Sequence, residues 1–360
     1  MLKSLSVNNF TVFSKAKFDF CRGINVIVGE NGLGKSHVLK LGYVSAWISH
    51  TIGQNPSEAG NKQALQRKIA EKLTSVFRPD SLGRLASRGP GRTRAEVKVS
   101  FYGDDKARMD YSFATSSKSE VNLSQAPHSG ITAPAIFFPT KEVISMFPRF
   151  ASLYRDYHIE IDETYYDLCL ALDRPLLKGP RFQKVKSLLE PLESLIGGAV
   201  NNENGRFLIK IPRQGNMEIP LVAEGIRKLA SVAYLVANGS LMDKATLYWD
   251  EPETNLNPKL ISKLAGILVE IAKQGTQVIL ATHSLFLLKE IDLQLKSPEL
   301  VAQIESKFFA LARTGEGTNV EVHFGETADS IDPIAALDAE IEQGDRFLQL
   351  EPTAANANNH

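Results

Sequence analysis

GENGLGKS, residues 29–36, has the spacing G-x-x-x-x-G-K-[S/T] of a phosphate-binding loop. A short apolar run at 24–28 precedes it, and apolar residues recur at helical spacing from about Lys35 to Trp47. Glycine lets backbone N–H groups approach phosphates closely, and the N-terminus of the following helix favours negative charge. The sequence therefore predicts a strand, a phosphate-binding loop and a helix. A chance glycine turn is the alternative, which both flanking elements disfavour.

This loop predicts a nucleotide and a metal ion as ligands. Lys35 would place its ammonium group between the β- and γ-phosphates of ATP, and the Ser36 hydroxyl would bind Mg²⁺. The candidate ATP-binding residues are the loop and the residue that follows it: Gly29, Glu30, Asn31, Gly32, Leu33, Gly34, Lys35, Ser36 and His37.

Two acids follow a second apolar run. Residues 245–251 read ATLYWDE, which predicts a buried strand that ends in Asp250 and Glu251. In α/β folds, ligands bind at the carboxyl ends of the strands, so these acids should lie beside the phosphate-binding loop. Asp250 is the candidate to hold Mg²⁺ through water, and Glu251 is the candidate general base for the attacking water. Taken alone, the two would equally fit surface acids at a strand end.

A histidine follows a third apolar run. Residues 281–284 read ATHS directly after 277–280, which predicts His283 at the end of a neighbouring strand. There its imidazole could contact the γ-phosphate and sense whether it is present. A lone histidine in a turn is usually structural, and the position of His283 about 30 residues after Asp250 is what favours a catalytic role. The predicted catalytic residues are Lys35, Glu251 and His283.

The composition excludes several classes of protein. The 41 Lys and Arg residues balance 41 Asp and Glu residues, so the chain is not a nucleic-acid binder that works through overall positive charge. Its two cysteines, Cys21 and Cys169, fit a reducing compartment better than a disulfide framework. Residues 1–12 lack the apolar core of a signal peptide, and no apolar run reaches the roughly 20 residues that span a membrane. We therefore expect a cytoplasmic chain without a membrane partner.

The order of the predicted elements indicates the fold class. Strands and helices alternate from residue 245 onward, which is typical of a mostly parallel core sheet covered by helices. Strands at the start of the chain predict an antiparallel β part, and the helical pattern at 141–200 predicts an insertion lobe broken by Pro175, Pro180 and Pro191. The expected fold is an α/β P-loop NTPase head. We expect two parts of the head at 1–140 and 206–325, a helical lobe at 141–205 and an acidic tail at 326–360.

One stretch of the chain is strongly basic. From Lys62 to Lys98, ten Lys or Arg residues stand against three acids, and Arg88–Arg94 (RGPGRTR) is predicted to be a loop. A solvated helix face, a nucleic-acid surface and a docking site for an acidic partner all fit this pattern. The acidic tail of a second copy is one such partner.

The three motifs together resemble a known family. GENGLGKS, YWDEPETNLNP and ATHS are the pattern of the ABC-type ATPase heads shared by RecF, the SMC and Rad50 proteins and the overcoming-lysogenisation-defect (OLD) ATPases. The start of the chain, LSVNNFTVF followed by FDFCRGINVIVGENGLGKSHVLKLGY, looks most like short stand-alone bacterial AAA-family ATPases of that group. Some of these are ATPase subunits of the anti-phage systems PARIS and Septu. The resemblance covers about 1–50 and 220–325.

This resemblance implies a homodimer in which two heads sandwich two ATP molecules, with a higher-order oligomer as an alternative. Each ATP site would receive a signature helix from the partner. The candidate segment departs from the transporter form LSGGQ, because Ala223 stands in place of the serine and Glu224 in place of the first glycine. The candidate signature residues are Ala223, Glu224, Gly225 and Arg227, and the candidate residues of the dimer-seam loop are Asn255 and Asn257.

The same resemblance implies an ATPase switch that acts on a separately encoded, nuclease-like effector in phage defence. Only 77 residues follow His283, which leaves no room for the nuclease domain of OLD proteins. A RecF-like repair ATPase that binds DNA through 62–98 is the alternative. A transporter subunit is disfavoured by the altered signature and by Lys141 or Glu142 where a glutamine-loop residue is expected.

Overall fold

The structure is a computed structural model, and it describes residues 1–87, 93–147, 149–157, 159–242, 244–297, 303–313 and 319–357. The strands are β1 Leu2–Phe10, β2 Phe13–Asp19, β3 Ile24–Gly29, β4 Arg94–Phe101, β5 Met109–Ala114, β6 Asn122–Gln125, β7 Ala135–Phe138, β8 Ala199–Glu203, β9 Arg206–Ile211, β10 Gly215–Glu218, β11 Thr246–Asp250, β12 Gln277–Thr282, β13 Ser306–Arg313 and β14 Val320–Gly325. The helices are α1 Lys35–Gln54, α2 Lys62–Phe77, α3 Arg149–Tyr157, α4 Glu163–Leu172, α5 Pro180–Ile196, α6 Glu224–Ala237, α7 Pro258–Lys273, α8 Leu285–Leu295 and α9 Ala335–Ala357.

A six-stranded core sheet has the order β14-β13-β3-β12-β11-β7. Its strands are parallel except for β14, which pairs antiparallel with β13 at the edge. Both faces of the sheet are covered, since Val26 and Val28 of β3 lie in one apolar core and Ile27 lies in the other. This explains why the central strands read as unbroken apolar runs. The predicted mostly parallel core sheet is confirmed.

The predicted antiparallel part is a second sheet with the order β2-β1-β4-β5-β6. One apolar core joins it to α1, α2 and one face of the core sheet. The predicted loop Arg88–Arg94 is described only at its end, where Arg94 begins β4, because 88–92 lie outside the described residues.

The insertion contains α3, α4 and α5, followed by a small antiparallel sheet of the order β10-β9-β8. Pro191 does not break the chain as predicted, because it lies inside α5, whereas Pro180 opens that helix. Strands β6 and β8 were not predicted, since each contributes a single fully buried apolar residue, Leu123 and Val200. The division of the chain into four parts stays a prediction, and its boundary at 205 falls in the turn between the paired strands β8 and β9.

Ion pairs dock α4 against the two helices that follow the phosphate-binding loop. Lys40 of α1 lies 2.9 Å from Asp162, the residue that caps α4. The buried Lys72 of α2 lies 2.6 Å from Asp167, which also accepts a hydrogen bond of 2.7 Å from the Tyr43 hydroxyl. The insertion is thus held to the head by charged contacts as well as apolar ones.

The predicted acidic tail begins by packing on the head. Ala328 and Ile331 are buried, and Lys289 of α8 forms an ion pair of 3.8 Å with Glu340 in α9. From Asp338 to Gln349 every side chain is exposed. None of the helices in the described ranges is long and apolar enough to cross a membrane.

Both cysteines are expected to resist alkylation in the folded protein. Burial raises the pKa of the Cys21 thiol to about 11 and that of the Cys169 thiol to about 12. The thiolate is the form that reacts with iodoacetamide, and because both pKa values are raised, almost no thiolate is present at pH 8. Mass spectrometry after iodoacetamide treatment should show no adduct on the native chain and two adducts in guanidinium. Native-state labelling at the denatured rate would contradict this burial.

Candidate functional site

The three predicted motifs meet at the carboxyl edge of the core sheet. Strands β3, β12 and β11 are parallel neighbours, with Thr282 paired to Val28 and Asp250 paired to Ala281. Gly29, Asp250 and Thr282 are the last residues of these strands. The phosphate-binding loop, the two acids and His283 therefore follow adjacent strand ends, which is where α/β folds bind ligands.

The loop has the conformation that its glycines predict. Gly32 and Gly34 have φ angles of 81° and 89°, in the left-handed region. A Cβ on Gly34 would lie 2.7 Å from a Val12 methyl group and 2.8 Å from the Phe13 ring, so this position needs glycine. The Lys35 ammonium donates hydrogen bonds to the carbonyls of Gly29 at 2.7 Å and Glu30 at 2.9 Å, and thus lies across the loop.

Several carboxylates act on the Lys35 ammonium through their charges. Burial lowers the pKa of Lys35, and the charges of Glu251, Asp250 and Glu253 act in the opposite direction. A buried lysine in such surroundings attracts an anion only in competition with its acidic neighbours. An ion that neutralises those acids would favour an anion at Lys35.

Asp250 has the environment of a metal ligand. Burial raises the pKa of its carboxyl group, and a hydrogen bond from Ser36 opposes that shift. Its Oδ1 atom is buried and has no hydrogen-bond partner among the residues that the structure describes. The Ser36 hydroxyl and the Asp250 carboxylate are hard oxygen ligands of the type that Mg²⁺ prefers. In the described ranges no group of three or more His, Cys, Asp or Glu side chains could hold a metal. A Mg²⁺ ion held by Ser36 and Asp250 would take its other ligands from phosphate and water.

Glu251 and His283 are in contact. Glu251 has a φ angle of 49°, and its backbone N–H donates to the carbonyl of Ala281 at 2.9 Å, which fixes the turn after β11 to the end of β12. Its Oε1 lies 3.3 Å from His283 Nδ1. Both side chains are partly exposed, so they are accessible to water and to a ligand at this edge.

A third acid at this site, Glu253, is missing from the predicted residues. Its buried carboxylate accepts a hydrogen bond of 2.6 Å from the Thr282 hydroxyl and lies 3.7 Å from His283 Nδ1. The sequence carries a signal for it, because the third acid of WDEPE follows one strand and the threonine before His283 ends the neighbouring strand.

The candidate signature segment opens α6, with Ala223 as its N-cap and Glu224 in its first turn. A Cβ on Gly225 would lie 2.5 Å from the Asn255 carbonyl oxygen and 2.6 Å from the Leu256 side chain. Glycine at 225 therefore allows α6 to touch the backbone of the predicted seam loop. The other seam residue, Asn257, caps α7 by accepting a hydrogen bond from the Leu260 N–H at 3.0 Å.

Charged contacts extend from α6 to two loops of the site. Arg227 lies 2.9 Å from the mostly buried Glu142, one of the two alternatives for the glutamine-loop position. The buried Lys228 donates to the Thr254 carbonyl at 3.2 Å. The signature segment is therefore bound to both loops of its own chain.

A small cavity lies next to the loop. It has a volume of about 240 Å³ and is lined by Glu30, Asn31, His283 and the first turn of α9. His37, the last candidate ATP-binding residue, points elsewhere, with Nδ1 at 3.0 Å from the Thr11 hydroxyl. This cavity is smaller than typical ligand pockets, so a nucleotide would lie largely on the open edge.

Comparisons with known proteins agree with this architecture. Residues 24–289, most of the chain, match the family described as "AAA domain, putative AbiEii toxin, Type IV TA system". The DNA replication and repair protein RecF of Renibacterium salmoninarum is 28% identical over 168 residues, which are 43% of this chain and 38% of that protein. The matched region thus spans well under half of this relative.

Two solved structures share the fold. The SmcHead bound to the C-winged helix domain of ScpA has a TM-score of 0.58 and 14% identity, and covers 92% of this chain and 99% of its own. The Smc head with an extended coiled coil bound to the C-terminal domain of ScpA from Pyrococcus furiosus has a TM-score of 0.52 and 12% identity, and covers 97% and 98%. The predicted resemblance to the RecF, SMC and Rad50 heads is confirmed: the chain belongs to the AAA domain family named above, and it has the fold of an ABC-type ATPase head of that group.

Proposed function

We propose that this ATPase head binds ATP with Mg²⁺ at the carboxyl edge of the core sheet and hydrolyses it. The observation that carries the proposal is the convergence of Lys35, Asp250, Glu251 and His283 on three adjacent strand ends. A phosphate-binding loop, a buried acid beside its serine and a partly exposed acid beside a histidine are parts that hydrolysis of a nucleoside triphosphate uses.

Each residue has a role in this proposal. Lys35 exchanges its two carbonyl partners for the phosphates, and Glu251 orients and deprotonates the attacking water. His283 contacts the γ-phosphate. Ser36 and Asp250 would hold Mg²⁺, which when bound neutralises the charge of the phosphates.

The proposed active form is a homodimer that buries two ATP molecules. The contact of Gly225 with the Asn255 backbone supports it, because signature segment and seam loop then form one continuous surface that a second copy could present to the nucleotide. Arg227 is engaged with Glu142 of its own chain, so a contact of Arg227 with the partner's ATP would require this ion pair to open.

We further propose that the dimer switches a separately encoded, nuclease-like effector in phage defence. The resemblance to ATPase subunits of anti-phage systems and the toxin named in the family description support this role. Phage should form fewer plaques on cells that carry this gene with its neighbouring genes than on cells that carry an empty vector. Lys35→Ala should restore plaques to the level of the empty vector. Equal protection by the wild type and Lys35→Ala would contradict a switch that depends on ATP.

The RecF match favours a DNA-repair ATPase as the second candidate. The basic stretch supports it only in part, because Lys72 is buried and Arg67 forms an ion pair of 2.6 Å with Glu120. Arg94 and Lys98 stay exposed, whereas Arg88 and Arg92 lie outside the described residues. Binding of duplex DNA that falls steeply with salt and with charge reversal at Arg94 would favour this candidate.

A further inference from the structure

Glu253 is a buried acid at the edge of the site to which the proposed reaction assigns no role. Its side chain is 7% exposed, and its Oε2 atom is buried without a hydrogen-bond partner in the described ranges. A buried carboxylate oxygen without a partner is costly, so the presence of Glu253 at this edge calls for an explanation. The charges of Lys35 and Lys228 face it and offset part of this cost.

The other oxygen of Glu253 is fixed to the turn that carries His283. The Thr282 hydroxyl donates its single proton to Glu253 Oε1 at 2.6 Å, and its oxygen accepts a hydrogen bond from the Ser284 N–H at 2.9 Å. Ser284 in turn caps α8 by accepting from the Leu287 N–H. The position of Glu253 is therefore coupled to the end of β12, the His283 turn and the start of α8.

His283 turns one edge of its ring toward two carboxylates. Its Nδ1 lies 3.3 Å from Glu251 Oε1 and 3.7 Å from Glu253 Oε1. Since Nε2 is on the opposite side of the imidazole ring, it is directed away from these acids. The half-exposed ring depends on such contacts for its orientation, because solvent does not hold it.

We propose that Glu253 is a positioning residue for ATP hydrolysis: it joins the Glu251 loop to the His283 turn and keeps His283 Nδ1 toward the carboxylates and Nε2 toward the γ-phosphate. This inference rests on the proposed ATPase function. Glu253 contacts neither water nor phosphate in this role. It acts by fixing the relative position of Glu251 and His283, and displacements of about 1 Å between reacting groups can cost about 100-fold in rate.

The test compares Glu253→Ala, Glu253→Gln and His283→Ala in the full chain. We expect Glu253→Ala to lower kcat for ATP by about 10- to 100-fold, with the Kd for ATP within about threefold of the wild type. Glu253→Gln keeps an oxygen that accepts from Thr282, so it should retain most of the activity. Glu203→Gln, an exposed acid at the end of β8, is the matched control and should leave kcat unchanged.

A double variant separates positioning from a general loss of structure. If Glu253 acts through His283, then Glu253→Ala combined with His283→Ala should be no slower than His283→Ala alone. If the losses of kcat in the two single variants multiply in the double variant, or if kcat is unchanged in Glu253→Ala, the inference is overturned while the proposed ATPase function stands. If Glu253→Ala lowers the midpoint of thermal unfolding, Glu253→Gln is the deciding variant. A loss of kcat in Glu253→Gln as large as that in Glu253→Ala, at an unchanged midpoint, would contradict the role of the Thr282 contact. Absence of ATP turnover in the wild type would overturn the proposed function itself.

Discussion

Glu251→Gln is expected to lower ATP turnover by about 10²- to 10⁴-fold and to leave ATP binding intact. Glutamine keeps the length and hydrogen-bonding shape of the side chain but cannot accept a proton from water. The backbone at 251 already has a φ angle of 49° with a glutamate, so glutamine adds no new strain. The contact with His283 Nδ1 also stays available through the amide oxygen.

The measurement combines phosphate release, ATP affinity and molar mass by light scattering. With ATP and Mg²⁺, Glu251→Gln should accumulate as a dimer, because the state before hydrolysis persists, whereas the wild type should return to the monomer as ATP is consumed. Glu203→Gln is again the matched control. Hydrolysis at the wild-type rate in Glu251→Gln would show that Glu251 is not the general base.

The parts of the fold and site that the sequence predicts are those encoded by contiguous residues. Eight adjacent residues specify the phosphate-binding loop, and apolar runs buried on both faces specify β3, β11 and β12. Because carboxyl ends of parallel strands share an edge, the convergence of Lys35 with His283 also follows from the sequence. Short strands such as β6 are not predicted from the sequence, because Asn122–Gln125 contains one apolar residue and shows no alternation of apolar and polar residues.

The parts that could not be predicted are pairings between distant polar residues. Thr282 bonds Glu253 across 29 positions, and Lys72 meets Asp167 across 95 positions. A sequence shows that such side chains are present, but which of many acids meets a given base depends on how helices pack. The basic stretch illustrates this: Lys72 contributes to its net charge, yet it lies inside the protein and offers nothing to a nucleic acid.

Lys72→Ala is expected to destabilise the folded protein by about 3–5 kcal/mol, as measured by urea unfolding. It removes the ammonium group 2.6 Å from Asp167 and 4.0 Å from the centre of the Trp47 ring. Burial already raises the pKa of Asp167, and the charge of Lys72 is the largest opposing cause. Without Lys72, the carboxylate would be left in the interior with the Tyr43 hydroxyl as its remaining close partner in the described part of the chain.

Lys62→Ala is the matched control, because Lys62 opens the same helix but is exposed, and it should change the free energy of unfolding by less than about 0.5 kcal/mol. Lys72→Met combined with Asp167→Leu gives the sharper comparison. Because it removes both charges and fills their space with apolar groups, it should recover most of the lost stability. Equal destabilisation by Lys72→Ala and Lys62→Ala would mean that the buried pair does not hold α4 to the head. If the double variant loses as much unfolding free energy as Lys72→Ala, then the charges themselves hold α4 to the head.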